Sequence, residues 1–154
     1  EVINFLQQNV DKVNKLLEYH NKFNIEFVRK LDNIDKNINR DELKAELEKL
    51  NKTTALIGSA SNKTTGRFTW QGNQLIKYNI KVGEISLFFQ IGFSDYKLHS
   101  HYWFADTKFQ PIEIKLKEIG VDYTEYEYND TDEQIAYIVT EQMKKIIYEL
   151  DKQS

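Results

Sequence analysis

A chain of 154 residues is long enough for one domain with a real core, or for a smaller domain with a helical appendage. Hydrophobic residues at 40% and charged residues at 29% exclude a disordered chain, and aromatic residues at 13% point to a sheet with bulky faces. The absence of cysteine excludes disulfides, thiolate metal sites and cysteine nucleophiles, and points to the cytoplasm.

The net charge of −3 is unevenly spread. Residues 62–117 hold eight Lys or Arg against four Asp or Glu, whereas residues 118–154 hold three against ten. A whole-protein nucleic-acid footprint would be strongly basic, so only the middle segment offers a basic face. No stretch approaches eighteen apolar residues, so the sequence predicts no transmembrane helix and no membrane partner. The chain starts at Glu1 rather than Met, as expected of part of a larger protein. Its Asn, Lys, Ile and Tyr bias fits an AT-rich bacterial or phage coding sequence. The sequons at Asn51, Asn62 and Asn129 read as chance matches in such a chain.

The first element is the most regular. Ile3, Leu6, Val10, Val13, Leu17, His20, Asn24, Phe27, Leu31, Ile34 and Ile38 are spaced alternately by three and four, with no Gly or Pro among them. This is a heptad seam, and it predicts a coiled-coil-like helix over residues 2–38, about 55 Å long. A helix of that length outruns a small domain, so residues 2–38 are expected to meet a protein partner or a second copy of the chain. His20 and Asn24 interrupt the dry seam. Either they fix register, or the helix leaves its partner there and Phe23 takes over the packing.

Asn39 with Glu42 reads as a capping box, so a second helix starts near residue 40. Leu43, Leu47, Leu50 and Ile57 would share its face, until Gly58 and the run SASNKTTG end it. The predicted division is a helical segment over 1–58 and an antiparallel α+β domain over 66–154.

From Arg67 the period falls to two. RFTW and LIKYNIKV form a hairpin around Gly72-Asn73, Gly83 makes the next turn, and ISLFFQIGF follows as a core strand. After a turn at Asp95, LHSHYWF places Leu98, Ser100, Tyr102 and Phe104 on one face and His99, His101 and Trp103 on the other. Residues 109–120 fit two patterns. Ile112, Ile114 and Leu116 alternate as in a strand, while Phe109, Ile112, Leu116 and Ile119 follow helical spacing. Pro111 in a first turn, Thr107 as a cap and Gly120 just past the end tip the reading to helix. VDYTEYEY reads as a short strand. Thr131 with Gln134 caps a last helix from Asp132 to about Asp151, with Ile135, Val139, Met143, Ile146 and Leu150 facing inward. The expected fold is α+β: two N-terminal helices, a four- to five-stranded antiparallel sheet and an amphipathic C-terminal helix.

Three constellations could carry chemistry. Asp106, followed by Glu113 and Lys115, matches the PD-(D/E)xK nuclease pattern, in which two carboxylates hold Mg²⁺ and the lysine stabilises charge. It requires residues 112–116 to be a strand. On a helix Glu113 and Lys115 point about 200° apart, and Glu113 would pair with Lys117 instead. His99 and His101 share a strand face and could ligate a metal with Asp95 or Asp106 as a third ligand. The plainer reading is a covered sheet face. Trp70, Trp103, Tyr78 and Phe88, among Lys77, Lys81 and Lys97, could stack single-stranded bases or a small ligand. The plainer reading there is that helices cover that face too.

No phosphate loop, G-x-S-x-G, H-E-x-x-H or EF-hand pattern occurs. The sequence therefore points first to a non-catalytic oligomerisation or interaction module without a cofactor. A metal-dependent nuclease and a single-strand or small-ligand binder are the alternatives.

Overall fold

The computed structural model describes residues 2–58, 69–70, 73–94 and 97–154. In chain order the elements are α1 (Val2–Asn37), α2 (Arg40–Glu48), β1 (Thr54–Gly58), β2 (Thr69–Trp70), β3 (Asn73–Val82) and β4 (Ile85–Ser94). Then follow β5 (Lys97–Phe104), a 3-10 turn (Thr107–Phe109), α3 (Gln110–Glu118), β6 (Tyr123–Tyr126) and α4 (Asp132–Gln153). This is the α+β arrangement that the sequence predicts.

Alternating β-branched and aromatic residues build an antiparallel sheet in the order β1-β3-β4-β5-β6. Strand β3 serves two neighbours along one edge. β2 pairs with Asn73 and Gln74, and β1 pairs from Tyr78 to Val82. Gly83 sits at φ +60° in the two-residue turn between the paired Val82 and Ile85, a conformation that costs glycine nothing. The hairpin tip at residues 71–72 and the turn at Asp95 lie outside the described residues.

Residues 54–58 depart from expectation. They form β1, not the end of the second helix, and Ile57 is exposed. Helix α2 stops at Glu48 because Thr53, Thr54 and Ile57 are β-branched and favour strand, and the edge of β3 offers them a ladder. The caps are as predicted. Asn39 accepts from the Glu42 N–H at 3.1 Å, and Thr131 accepts from the Gln134 N–H at 3.2 Å.

One face of the sheet carries the core. Ile76, Tyr78, Ile80 and Val82 of β3 meet Leu87, Phe89, Ile91 and Phe93 of β4, all buried. Tyr78 is thus a core residue and not part of the outer aromatic group, because β3 alternates with Ile76 and Ile80 inward. Helix α4 covers this face with Ile135, Val139, Met143, Ile146 and Leu150, each fully buried. Helix α1 adds Phe27, Leu31 and Ile34, and Ile38 follows just past its end. A single hydrophobic cluster therefore draws on residues before 58 and after 66.

A buried charge pins α1 to the sheet. Asp35, 1% exposed, accepts from the Tyr78 hydroxyl and from Arg40, whose Nη1 also donates to the Asp35 carbonyl at 3.0 Å. The Arg40 guanidinium lies 5.7 Å from the centre of the Tyr78 ring. Burial pushes the Tyr78 hydroxyl well above its ordinary pKa, so it remains a donor. Asp35→Ala is expected to destabilise the fold by about 1–3 kcal/mol, because it leaves a buried hydroxyl unpaired. Urea unfolding measures this, and an unchanged midpoint would contradict it.

Candidate functional site

The helix residues named above pack on the core face. The opposite face of β4, β5 and β6 carries a row of aromatic and polar side chains, and cross-strand register builds it. Phe88 stands opposite Trp103, Gln90 opposite His101, and His101 opposite Tyr123. The Phe88 and Trp103 rings stack at 4.4 Å between centroids, with the Lys77 amine 5.7 Å from the Trp103 ring. His99 stacks on His101 at 5.1 Å and on Tyr123 at 5.4 Å. His99, His101 and Trp103 are thus together on the face that the sequence assigns them.

Hydrogen bonding in this row fixes a protonation state. Trp103 Nε1 can only donate, and it donates to Gln90 Oε1 at 2.9 Å. That fixes the Gln90 amide, whose Nε2 then donates to His101 Nε2 at 3.0 Å. His101 Nε2 must therefore be an acceptor, so the ring is neutral and carries its proton on Nδ1. His101 Nδ1 is buried and has no hydrogen-bond partner among the described residues. His99 Nδ1 lies 3.5 Å from the Lys97 carbonyl oxygen, which asks for a proton there too.

Both imidazoles are held below the ordinary histidine pKa. For His101 the causes are burial and then the neighbouring His99, with Asp122 opposing. For His99 the cause is burial, with the Lys97 carbonyl and Glu125 opposing. A second proton on His101 would also set an N–H against the Gln90 amide.

The nuclease triad is not brought together. PIEIKL lies in helix α3, with Pro111 in its first turn and Gly120 just past its end at φ +79°. Glu113 and Lys115 therefore diverge by about 200° around the helix. The backbone carbonyl of Glu113 accepts from the Tyr102 hydroxyl at 3.3 Å, and Lys115 pairs with Glu118 at 3.6 Å rather than Glu113 with Lys117. Asp106 caps the 3-10 turn by accepting from the Lys108 N–H at 3.0 Å, and Thr107, expected to cap α3, lies within that turn, while Phe109 at the N-cap of α3 makes no side-chain cap bond. The Mg²⁺ reading needed a strand at 112–116, and Pro111 and Gly120 make that segment a helix. Among the described residues no group of three or more His, Asp or Glu gathers to hold a metal ion. The side chain of Trp70 lies outside the described residues, as do those of His20, Phe23 and Asn24.

Sequence reasoning overlooked Gln90 and Tyr123. Gln90 alternates with Phe88 onto the outer face, but its role depends on the pairing of β4 with β5.

The second candidate site is the first two-thirds of α1. Ile3, Leu6, Val10, Val13 and Leu17 are 50–79% exposed, although Phe27, Leu31 and Ile34 on the same seam are buried. Leu16, beside the seam, widens this exposed stripe. Comparison with family models, with curated proteins and with solved structures finds no match.

The histidine pair makes stability depend on pH. The unfolded chain takes up protons below about pH 6.5, while the fold resists them. Stability from these groups is complete above that pH and is lost as pH falls below it. Urea midpoints are expected to fall from pH 7.5 to 5, with a shallower fall in His101→Gln. Equal slopes in the two proteins would contradict the assignment.

Proposed function

We propose that this chain is a non-catalytic oligomerisation module that binds further copies of itself through the N-terminal part of α1. The observation that carries the reading is the exposed stripe Ile3, Leu6, Val10, Val13 and Leu17, in register with the buried part of the same seam. Contiguous exposed apolar surface on a helix marks an interaction site. Burying one such side chain is worth about 1.5–3 kcal/mol, so five on each copy are of the size needed to offset the cost of association.

The composition of the segment supports the same reading. Residues 2–25 contain five Asn and three Val, poor helix formers. A free helix of that length and composition is marginal in water and gains its stability by docking.

The charge pattern favours a second copy over a different protein. The positions flanking the exposed seam are Val2, Gln7, Asn9, Asn14 and Leu16, all uncharged. Charges at such positions select between different partner helices and repel identical ones. Here they do neither, and the charged side chains, Asp11, Lys12, Lys15 and Glu18, stand away from the seam. Light scattering is expected to give a mass above the 18.3 kDa of one chain. Leu6→Glu with Val13→Glu is expected to return it to one chain without changing the unfolding midpoint of the domain. A wild-type monomer would contradict the reading.

A second reading rests on the outer sheet face. The half-buried Phe88–Trp103 pair beside Lys77 supports binding of a single-stranded nucleic acid or another flat ligand. Salt-sensitive binding of an oligonucleotide, weakened about tenfold or more by Trp103→Ala, is the expected result. No binding at low salt would dismiss it. No helix among the described residues is long and apolar enough to cross a membrane.

A further inference from the structure

The domain and the exposed stripe lie on the same side of one helix, and this decides how a second copy can lie. Phe27, Leu31 and Ile34 continue the spacing of Val10, Val13 and Leu17, and they are buried in the chain's own core. A heptad stripe on a straight helix drifts only about 20° per seven residues. Over two to three heptads the domain therefore stays on the side that the exposed stripe faces. Phe27, stacked on Phe93 at 4.0 Å, marks where the domain begins along the seam. So does Lys30, bonded to Asp132 at 2.7 Å at the start of α4.

A second helix laid parallel along residues 3–20 would bring its own domain into the space that the first domain fills. Each domain packs on the side of its helix that looks at the other copy. In the reverse direction residues 3–20 of the second helix lie short of Phe27 of the first, and its domain emerges beyond residue 3 of the first, away from the first domain. The uncharged flanks oppose neither direction, so the domain sets the choice.

Resting on the oligomerisation reading, we propose that two copies pair antiparallel through residues 3–20 of α1. In an antiparallel seam each position of one heptad class faces the other class. Leu6 then faces Leu17 of the second copy, Val10 faces Val13, and Ile3 faces His20, each layer occurring twice about the two-fold axis. The aliphatic layers fill the middle. By heptad spacing alone, positions 20 and 24 come after the last aliphatic layer of the seam. The two polar positions that interrupt the heptad thus fall where the dry seam stops. The pairing is closed and buries the same surface on both copies.

The chain has no cysteine, so introduced thiols report without background. The test takes Ile3→Cys and His20→Cys chains, alone and mixed in equal amounts, under mild oxidation. Antiparallel pairing separates the two residues 3 by about 25 Å, at 1.5 Å per residue, so neither variant alone can form a disulfide through this seam. The mixture is expected to form the Ile3→Cys to His20→Cys disulfide, within a particle of twice 18.3 kDa. Efficient self-linking of Ile3→Cys means a parallel pair and overturns the proposal while the oligomerisation reading stands. A larger particle without the mixed disulfide does the same. A particle of 18.3 kDa overturns both.

Discussion

Helix α1 carries one apolar seam, and the domain can cover only its last third. The constraint is one of length. A 36-residue helix extends about 54 Å, and the core takes it up only from Phe27. The heptad spacing runs on regardless, so the residues before Phe27 repeat the chemistry of those after it without the domain to bury them. The proposed self-association follows from that mismatch. In the proposed assembly, a seam written for burial along its whole length is satisfied in two ways, by the chain's own sheet and by a second chain.

The end of α1 must be held firmly for the rest to project in a fixed direction. Asp35, Tyr78 and Arg40 supply that hold, joining α1, β3 and the start of α2 around a buried carboxylate. Lys30 adds a second tie to the start of α4. The other face of the sheet obeys a different rule. There the Trp103–Gln90–His101 relay replaces apolar packing with directed hydrogen bonds, which keep one histidine neutral and its Nδ1 proton pointed away from Gln90.

Where the sequence carries a local rule, the fold was legible. The caps at Asn39 and Thr131 obey side-chain geometry within four residues, and the inward face of α4 obeys a 3.6-residue period. PIEIKL was the harder case, since alternation and helical spacing coincide there. Pro111 and Gly120 settle it as a helix, which parts Glu113 from Lys115. Strand β1 escapes the sequence reading because Ile57 also fits the helix face of Leu43, Leu47 and Leu50, and only the edge of β3 selects the extended form. Tyr78 was placed on the wrong face as one of several aromatic residues, although Ile76 and Ile80 on either side carried the right signal. The outer-face positions of His99, His101 and Trp103 followed from alternation. Gln90 could not be found in that way, because its partners are eleven and thirteen residues distant and meet it only through strand register.

The most direct measurement is amide hydrogen exchange along α1 as the protein is diluted. Amides from Phe27 to Ile34 are expected to stay protected at every concentration, at the level of the domain core. Amides from Ile3 to Leu17 are expected to lose protection on dilution, as the second copy leaves. If all of α1 exchanged as one unit, at a rate independent of concentration, the seam would not be divided between the domain and a partner.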